Sequence, residues 1–180
     1  ASHSCIDAVK EIVKNNLVNC GDVLYLTCLV PPIVASNLTY SMPKTVTQAQ
    51  FSLQFAIAVV LFYGDVKLEH LNHDVVCNPE VKRLFERIKV TVGEIPKQFA
   101  ASKSICPEWG YVELMTRKGV RKHCFIGSPL GSASRPMTKD MLRQKFENCC
   151  SHGGCGESAD LLYDKISNIE NISKVRELFK

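Results

Sequence analysis

The chain has 180 residues and a formal net charge of +4, with 46% hydrophobic and 22% charged residues. This composition is typical of an ordinary globular domain that can bury a core without metal or disulfide support. The positive charge is too small to indicate a nucleic-acid partner. The longest apolar run, Phe55 to Phe62, is too short to span a bilayer, so no membrane partner is expected.

Hydrophobic periodicity and capping residues predict the secondary structure. The longest helix is apolar on most sides, with Thr45 and Thr47 as candidate caps and Gly64 at its end. The predicted elements in chain order are a helix from Ser2 or Ser4 to about Asn15, a strand at Val23 to Val30, helices at Gln48 to Tyr63 and Pro79 to Ile88, a strand at Ile88 to Val92, a hairpin of Tyr111 to Met115 and Val120 to Phe125, a helix after Thr138 through Asn148, and helices at Ala159 to Ile169 and Lys174 to Phe179.

This order of elements predicts an α+β fold, an α/β sandwich in which a small mixed sheet packs with helices. The glycines around Cys155 mark a flexible break within a C-terminal helical tail. We therefore expect an α/β domain at residues 1–137 and a helical segment at residues 138–180.

Nine cysteines are scattered along the chain, and several lie within apolar runs, as Cys28 does. Reduced thiols behave in this way, as small hydrophobic side chains. The pattern predicts a reducing compartment, the cytoplasm or alternatively the mitochondrial matrix, and not a disulfide scaffold. The segment Ala1 to Ser4 has neither an initiator Met nor the features of a secretory signal, which predicts a fragment or a processed chain.

One cluster near the C-terminus has the residue types of a zinc knuckle: Cys149, Cys150, His152 and Cys155. Structural zinc sites take two separated pairs of ligands, whereas these four residues crowd into seven positions. We therefore expect reduced thiols at a helix end and no metal there.

Three segments of the chain occur in an informative order. The first motif is His3 to Ala8, the second is Ala49 to Phe55, and the third combines Gly127-Ser128-Pro129, Pro136-Met137-Thr138 and Lys145-Phe146. Together they resemble the MmgE/PrpD family, which includes 2-methylcitrate dehydratase, cis-aconitate decarboxylase and related epimerases. The resemblance covers nearly the whole chain, but only the C-terminal portion of a family member.

The resemblance implies part of a cofactor-independent lyase, a dehydratase or decarboxylase. Its substrate would be a small polycarboxylic acid such as methylcitrate, citrate or cis-aconitate. The resemblance also implies a homodimer and a missing N-terminal helical domain, on which residues 138–180 would pack. That domain would supply further catalytic residues, so we expect this chain alone to be inactive or very weak.

His3 is the candidate catalytic residue, because the resemblance implies that it faces the substrate. A helix N-terminus attracts a carboxylate and favours a neutral imidazole, which suits proton abstraction next to a carboxylate. Local sequence alone favours a frayed N-terminal histidine without a role, because no local residue pairs with it. An epimerase of a small dicarboxylic acid is an alternative, since it needs the same proton abstraction and a second acid or base opposite His3.

Four candidate substrate-binding residues lie in or near the second motif. Ser52 and Gln54 can hydrogen-bond a carboxylate or hydroxyl, Lys44 is a candidate anion contact, and Phe55 is a candidate pocket wall. Each also has a structural alternative: satisfied buried polar groups, a solvated lysine and a core phenylalanine. Gln50 replaces the basic residue of relatives and Phe55 replaces a tyrosine, which favours a third interpretation, a non-catalytic binding or dimerisation module.

Overall fold

The computed structural model describes residues 1–16, 18–102 and 104–176. The chain divides into two compact units, one of Ala1–Val66 with His70–Pro136 and one of Lys67–Glu69 with the chain from Met137 onward. Residues 177–179 of the helix predicted at Lys174 to Phe179 lie outside the described residues. Each unit is described by itself below.

The first unit contains the mixed sheet and most of the helices, so the α+β prediction is confirmed. In its described residues, the second unit contains two further α-helices. The elements of the first unit are α1 (His3–Asn16), β1 (Val23–Val30), α2 (Pro32–Asn37), α3 (Val46–Gln50), α4 (Leu53–Tyr63), α5 (His73–Cys77), α6 (Pro79–Phe85), β2 (Ile88–Val92), β3 (Gly110–Thr116) and β4 (Arg121–Ile126).

The sheet has the strand order β2-β1-β3-β4. β1 and β2 are parallel, and the long connection between them carries α2 to α6, as a parallel pair requires a crossover. β3 pairs antiparallel with β1 and with β4, and the last two strands form the predicted hairpin. The sheet is therefore mixed, with β1 and β3 at its centre.

One face of the sheet is the core face. Along β3 the side chains alternate, so that Val112 and Leu114 are fully buried while Tyr111 and Glu113 are partly exposed. The core cluster joins this face to apolar residues of α1 and α4, including Val9 and Ile57. On the opposite face, the Phe125 ring stacks on that of Phe99 with 4.7 Å between ring centroids.

The predicted helix Gln48 to Tyr63 is wrong in one respect, because the chain forms two helices there. The Ser52 backbone is extended, and its hydroxyl oxygen accepts a hydrogen bond of 3.0 Å from the Phe55 N–H. A serine that caps the following helix competes with continuation of the preceding one. Gly64 ends α4 in the left-handed region at φ 84°, as predicted. No helix in the described part of the chain, α4 included, is long and apolar enough to cross a membrane.

Other boundaries also differ from the sequence prediction. α6 ends at Phe85 instead of Ile88, because Ile88 is the first residue of β2 and pairs with Leu26. The short helix α2 was not predicted. It begins at Pro32, where a proline fits the first helical position because its missing N–H has no intrahelical acceptor there.

The second unit is built on a pair of helices, α7 (Lys139–His152) and α8 (Ala159–Ser167). The Phe146 and Tyr163 rings meet edge to face with 5.4 Å between centroids. The Arg143 guanidinium lies 4.8 Å above the Tyr163 ring and also pairs with Asp160. These contacts join α7 to α8. α7 runs past the predicted end at Asn148, and α8 ends before the predicted Ile169.

Candidate functional site

The predicted substrate-binding residues lie in one continuous stretch around α3 and α4. Lys44 is exposed, and its backbone N–H donates to Gln48 Oε1 at 2.7 Å. Gln54 is half-buried in the first turn of α4, whereas Ser52 and Phe55 are each 1% exposed. Ser52 has a structural role as the cap of α4, and Phe55 belongs to the core cluster. Their substrate contacts stay a prediction.

We expect Ser52→Ala to lower the free energy of unfolding by about 1 kcal/mol, the usual cost of losing a helix N-cap. The Phe55 N–H would lose its acceptor within a buried environment. Urea denaturation followed by circular dichroism measures the change. Ser102→Ala is the control, because Ser102 is exposed in a loop. Equal stability of both variants would contradict the capping role.

His3 is the first residue of α1, and its side chain is exposed. The next residue, Ser4, is 1% exposed, and its hydroxyl has no hydrogen-bond partner. α1 packs against α4, and a salt bridge of 2.8 Å joins Lys10 Nζ to Asp65 Oδ1, just beyond the end of α4. The imidazole therefore lies on a helix that is fixed against the helix bearing the second motif.

The first and third motifs meet in the folded chain. Asp7 Oδ2 accepts a hydrogen bond of 2.7 Å from the Leu130 N–H and lies 3.5 Å from an Arg135 guanidinium nitrogen. The same guanidinium donates to Glu11 Oε1 at 3.2 Å and to the Ser128 carbonyl at 3.1 Å. The carboxylates of α1 thus hold the Gly127–Pro136 loop in place.

A cavity of about 390 Å³ lies beside this loop. Its polar lining comes from Arg135, Glu11 and several hydroxyl groups. Arg135 and Glu11 already form a salt bridge with each other. The residues that line it are Glu11, Ser102, Ser104, Phe125, Ile126, Gly127, Ser128, Ser134 and Arg135. None of the predicted site residues lines this cavity.

The thiol beside this cavity is a weak nucleophile. Burial raises the pKa of Cys124 to about 12, and the adjacent Glu11 carboxylate adds to the increase. Cys124 Sγ donates to Glu11 Oε2 at 3.4 Å. The thiol is therefore protonated at neutral pH, and thiolate chemistry is not expected here.

Asp7, Glu11 and Arg135 were not predicted from the sequence. The sequence does indicate that Asp7 and Glu11 belong together, because they are four positions apart and so share one face of α1. Their partner, however, is more than a hundred residues away in a loop without periodicity. Only the folded chain identifies it.

We expect Asp7→Ala to lower the free energy of unfolding by about 1–2 kcal/mol, because a charge-assisted hydrogen bond is lost and the Leu130 N–H loses its acceptor. The Asp7 side chain is only 16% exposed, so solvent compensates incompletely. Chemical denaturation measures the change. Asp74→Ala is the matched control, since that carboxylate is fully exposed. A loss no larger than the control's would show that the loop does not depend on Asp7.

The described residues contain no group of three or more His, Cys, Asp or Glu side chains arranged to hold a metal ion. This statement includes the cysteine cluster at the end of α7, whose thiols are free.

The site and the sheet define the class of the protein. It is an α+β domain in which carboxylates of α1 bind the loop at residues 127–136. A family model for the MmgE/PrpD C-terminal domain matches residues 1–165. The chain belongs to the MmgE/PrpD family. A search of curated proteins found no match.

Proposed function

We propose that this chain is part of a cofactor-independent lyase, a dehydratase or decarboxylase. Its substrate is a small polycarboxylic acid such as methylcitrate, citrate or cis-aconitate. The observation that carries the proposal is the family match over residues 1–165, which includes the motif that begins at His3. The exposed position of His3 supports it, because a substrate can reach the imidazole without rearrangement of the core.

The start of α1 suits an anionic substrate. The first turn contains no acidic residue, so no acidic side chain of that turn offsets the partial positive charge of the helix N-terminus. A carboxylate of the substrate would be stabilised there by backbone N–H groups. The same carboxylate would bring the carbon next to it close to His3.

In the proposed reaction His3 accepts or donates a proton. As a base, the imidazole removes a proton from the carbon next to a carboxylate, and the electron pair expels hydroxide, which takes a proton from the imidazolium or from an acid of the N-terminal domain and leaves as water. In a decarboxylation, carbon dioxide leaves and the imidazolium returns a proton to the carbon. Further bases and cations would come from an N-terminal helical domain, and the assembled protein would be a homodimer.

The test uses the complete protein, with this chain joined to or mixed with its N-terminal helical domain. We expect turnover of at least one acid among methylcitrate, citrate and cis-aconitate, measured as unsaturated product or released carbon dioxide. Solvent deuterium incorporation without net conversion would assign an epimerase instead. A well-folded complete protein that shows neither turnover nor deuterium incorporation would contradict the enzymatic proposal.

A non-catalytic binding or dimerisation module is the second candidate. Two residues favour it: Gln50, which is exposed where a cation would contact an anion, and Phe55, which lies in the core without a phenol. Unchanged turnover after substitution of His3 in the complete protein would support this candidate.

A further inference from the structure

α7 ends in a reversal of the chain that brings two cysteines together. The Cys155 N–H donates to the Cys150 carbonyl at 2.9 Å, and the Gly154 N–H donates to the Ser151 carbonyl at 3.3 Å. Gly154 has φ 78°, in the left-handed region. These two bonds and the left-handed glycine define a Schellman motif. In that motif the residues in the places of Cys150 and Cys155 usually make a hydrophobic contact.

Here both residues are cysteines. The Cys155 thiol donates to the Cys150 carbonyl oxygen at 3.4 Å. A disulfide requires Cα atoms about 4.4–6.8 Å apart and side chains that point toward each other. The backbone bond between these two residues and the contact of Cys155 Sγ with the Cys150 carbonyl place the two cysteines side by side at the end of α7. Both cysteines are free in the structure.

We propose that Cys150 and Cys155 are a thiol–disulfide exchange site, at which a low-molecular-weight disulfide such as glutathione disulfide oxidises the pair to a reversible intramolecular disulfide. The proposal is independent of the lyase activity, because it concerns only α7 and the turn that follows it.

The exchange proceeds in two steps. The Cys155 thiol loses its proton and attacks one sulfur of glutathione disulfide, which forms a mixed disulfide and releases one glutathione thiolate. Cys150 then loses its proton and attacks Cys155 Sγ, which forms the intramolecular disulfide and releases the second glutathione. The protein dithiol is oxidised by two electrons, and glutathione disulfide is reduced to two thiols.

The two cysteines have different exposures, and this fixes the order of attack. Cys155 is exposed, whereas Cys150 is 6% exposed. Burial and the hydrogen bond with Cys155 raise the pKa of Cys150. An oxidant therefore reaches Cys155 first, and Cys150 acts only on a partner that is already in contact with it.

Cys149 supplies a matched control. It is exposed and directly adjacent to Cys150, but one residue along a helix turns the side chain by about 100°, away from that of its neighbour. The Cys149 thiol is thus open to the same oxidant without the same partner.

The test treats the reduced full chain with mixtures of glutathione and its disulfide, quenches with acid and maps the cysteines by mass spectrometry. In the unmodified chain and in Cys149→Ser we expect a Cys150–Cys155 disulfide without bound glutathione. In Cys150→Ser we expect glutathione to stay on Cys155. In Cys155→Ser we expect Cys150 to remain reduced. Circular dichroism checks that α7 and α8 are kept, and Cys150→Ala repeats the measurement with a smaller side chain.

Three outcomes would overturn the proposal. The first is stable glutathione on Cys155 in the unmodified chain. The second is a disulfide that includes Cys149 in place of Cys150. The third is a Cys150–Cys155 pair that stays reduced while Cys149 becomes modified. None of these depends on whether the complete protein is a lyase.

Discussion

Substituting His3 with alanine in the complete protein should lower kcat by about 100- to 10,000-fold, the usual contribution of a general acid or base. The substitution should leave the fold nearly unchanged, because the His3 side chain is exposed and the core cluster begins at Cys5. The measurement is steady-state turnover of the best acid, with circular dichroism and thermal unfolding as checks of structure.

The same experiment separates catalysis from binding. A group that acts on the reacting atoms lowers kcat, whereas a group that only holds the substrate raises KM. His3→Gln tests this further, since it keeps a hydrogen-bonding side chain but removes the basic nitrogen. His123→Ala is the control, because His123 is exposed on β4. If His3→Ala keeps the kcat of the unmodified protein, the histidine is not the acid or base.

The sheet was predictable because its strands are encoded locally. β1 and β2 have the predicted bounds. The apolar and β-branched run of β1 lies between Gly21 and Pro31, which mark its two ends. The long apolar helix was predicted as one piece because its hydrophobic pattern continues through Phe51. The break at Ser52 comes from one side-chain hydrogen bond, which periodicity does not report.

The candidate site was predictable only as far as sequence motifs reach. The first and third motifs were recognised separately, but their contact joins Asp7 to Leu130 and Arg135 across most of the first unit. Such a contact depends on the register of α1 over β3 and β4, which tertiary packing sets. A motif can also suggest a role without showing the local structure. Ser52 was predicted to bind substrate, and in the structure its side chain caps α4.

Gly110→Ala should lower the free energy of unfolding by about 3 kcal/mol, at the upper end of the cost of overpacking a core. A Cβ at this position would lie 2.7 Å from Cys5 Sγ and 3.0 Å from the Cys5 backbone nitrogen. The sulfur has little room to move, since Cys5 is 1% exposed and belongs to the core cluster. Chemical denaturation measures the loss, with Gly21→Ala as the control because no atom lies within 4 Å of its added Cβ.

The variant also tests whether the position of α1 matters for activity. Gly110 lets the first turn of α1 lie directly on β3, and Cys5 is only two residues beyond His3. If the added methyl group displaces that turn, kcat of the complete protein should fall although Gly110 has no role in substrate binding. Adding Cys5→Ala removes the sulfur contact but not the backbone contact, so it should restore stability and kcat in part. A stable Gly110→Ala variant would mean that α1 can move away from β3 at little cost, and its first turn would then be too loosely held to position an imidazole.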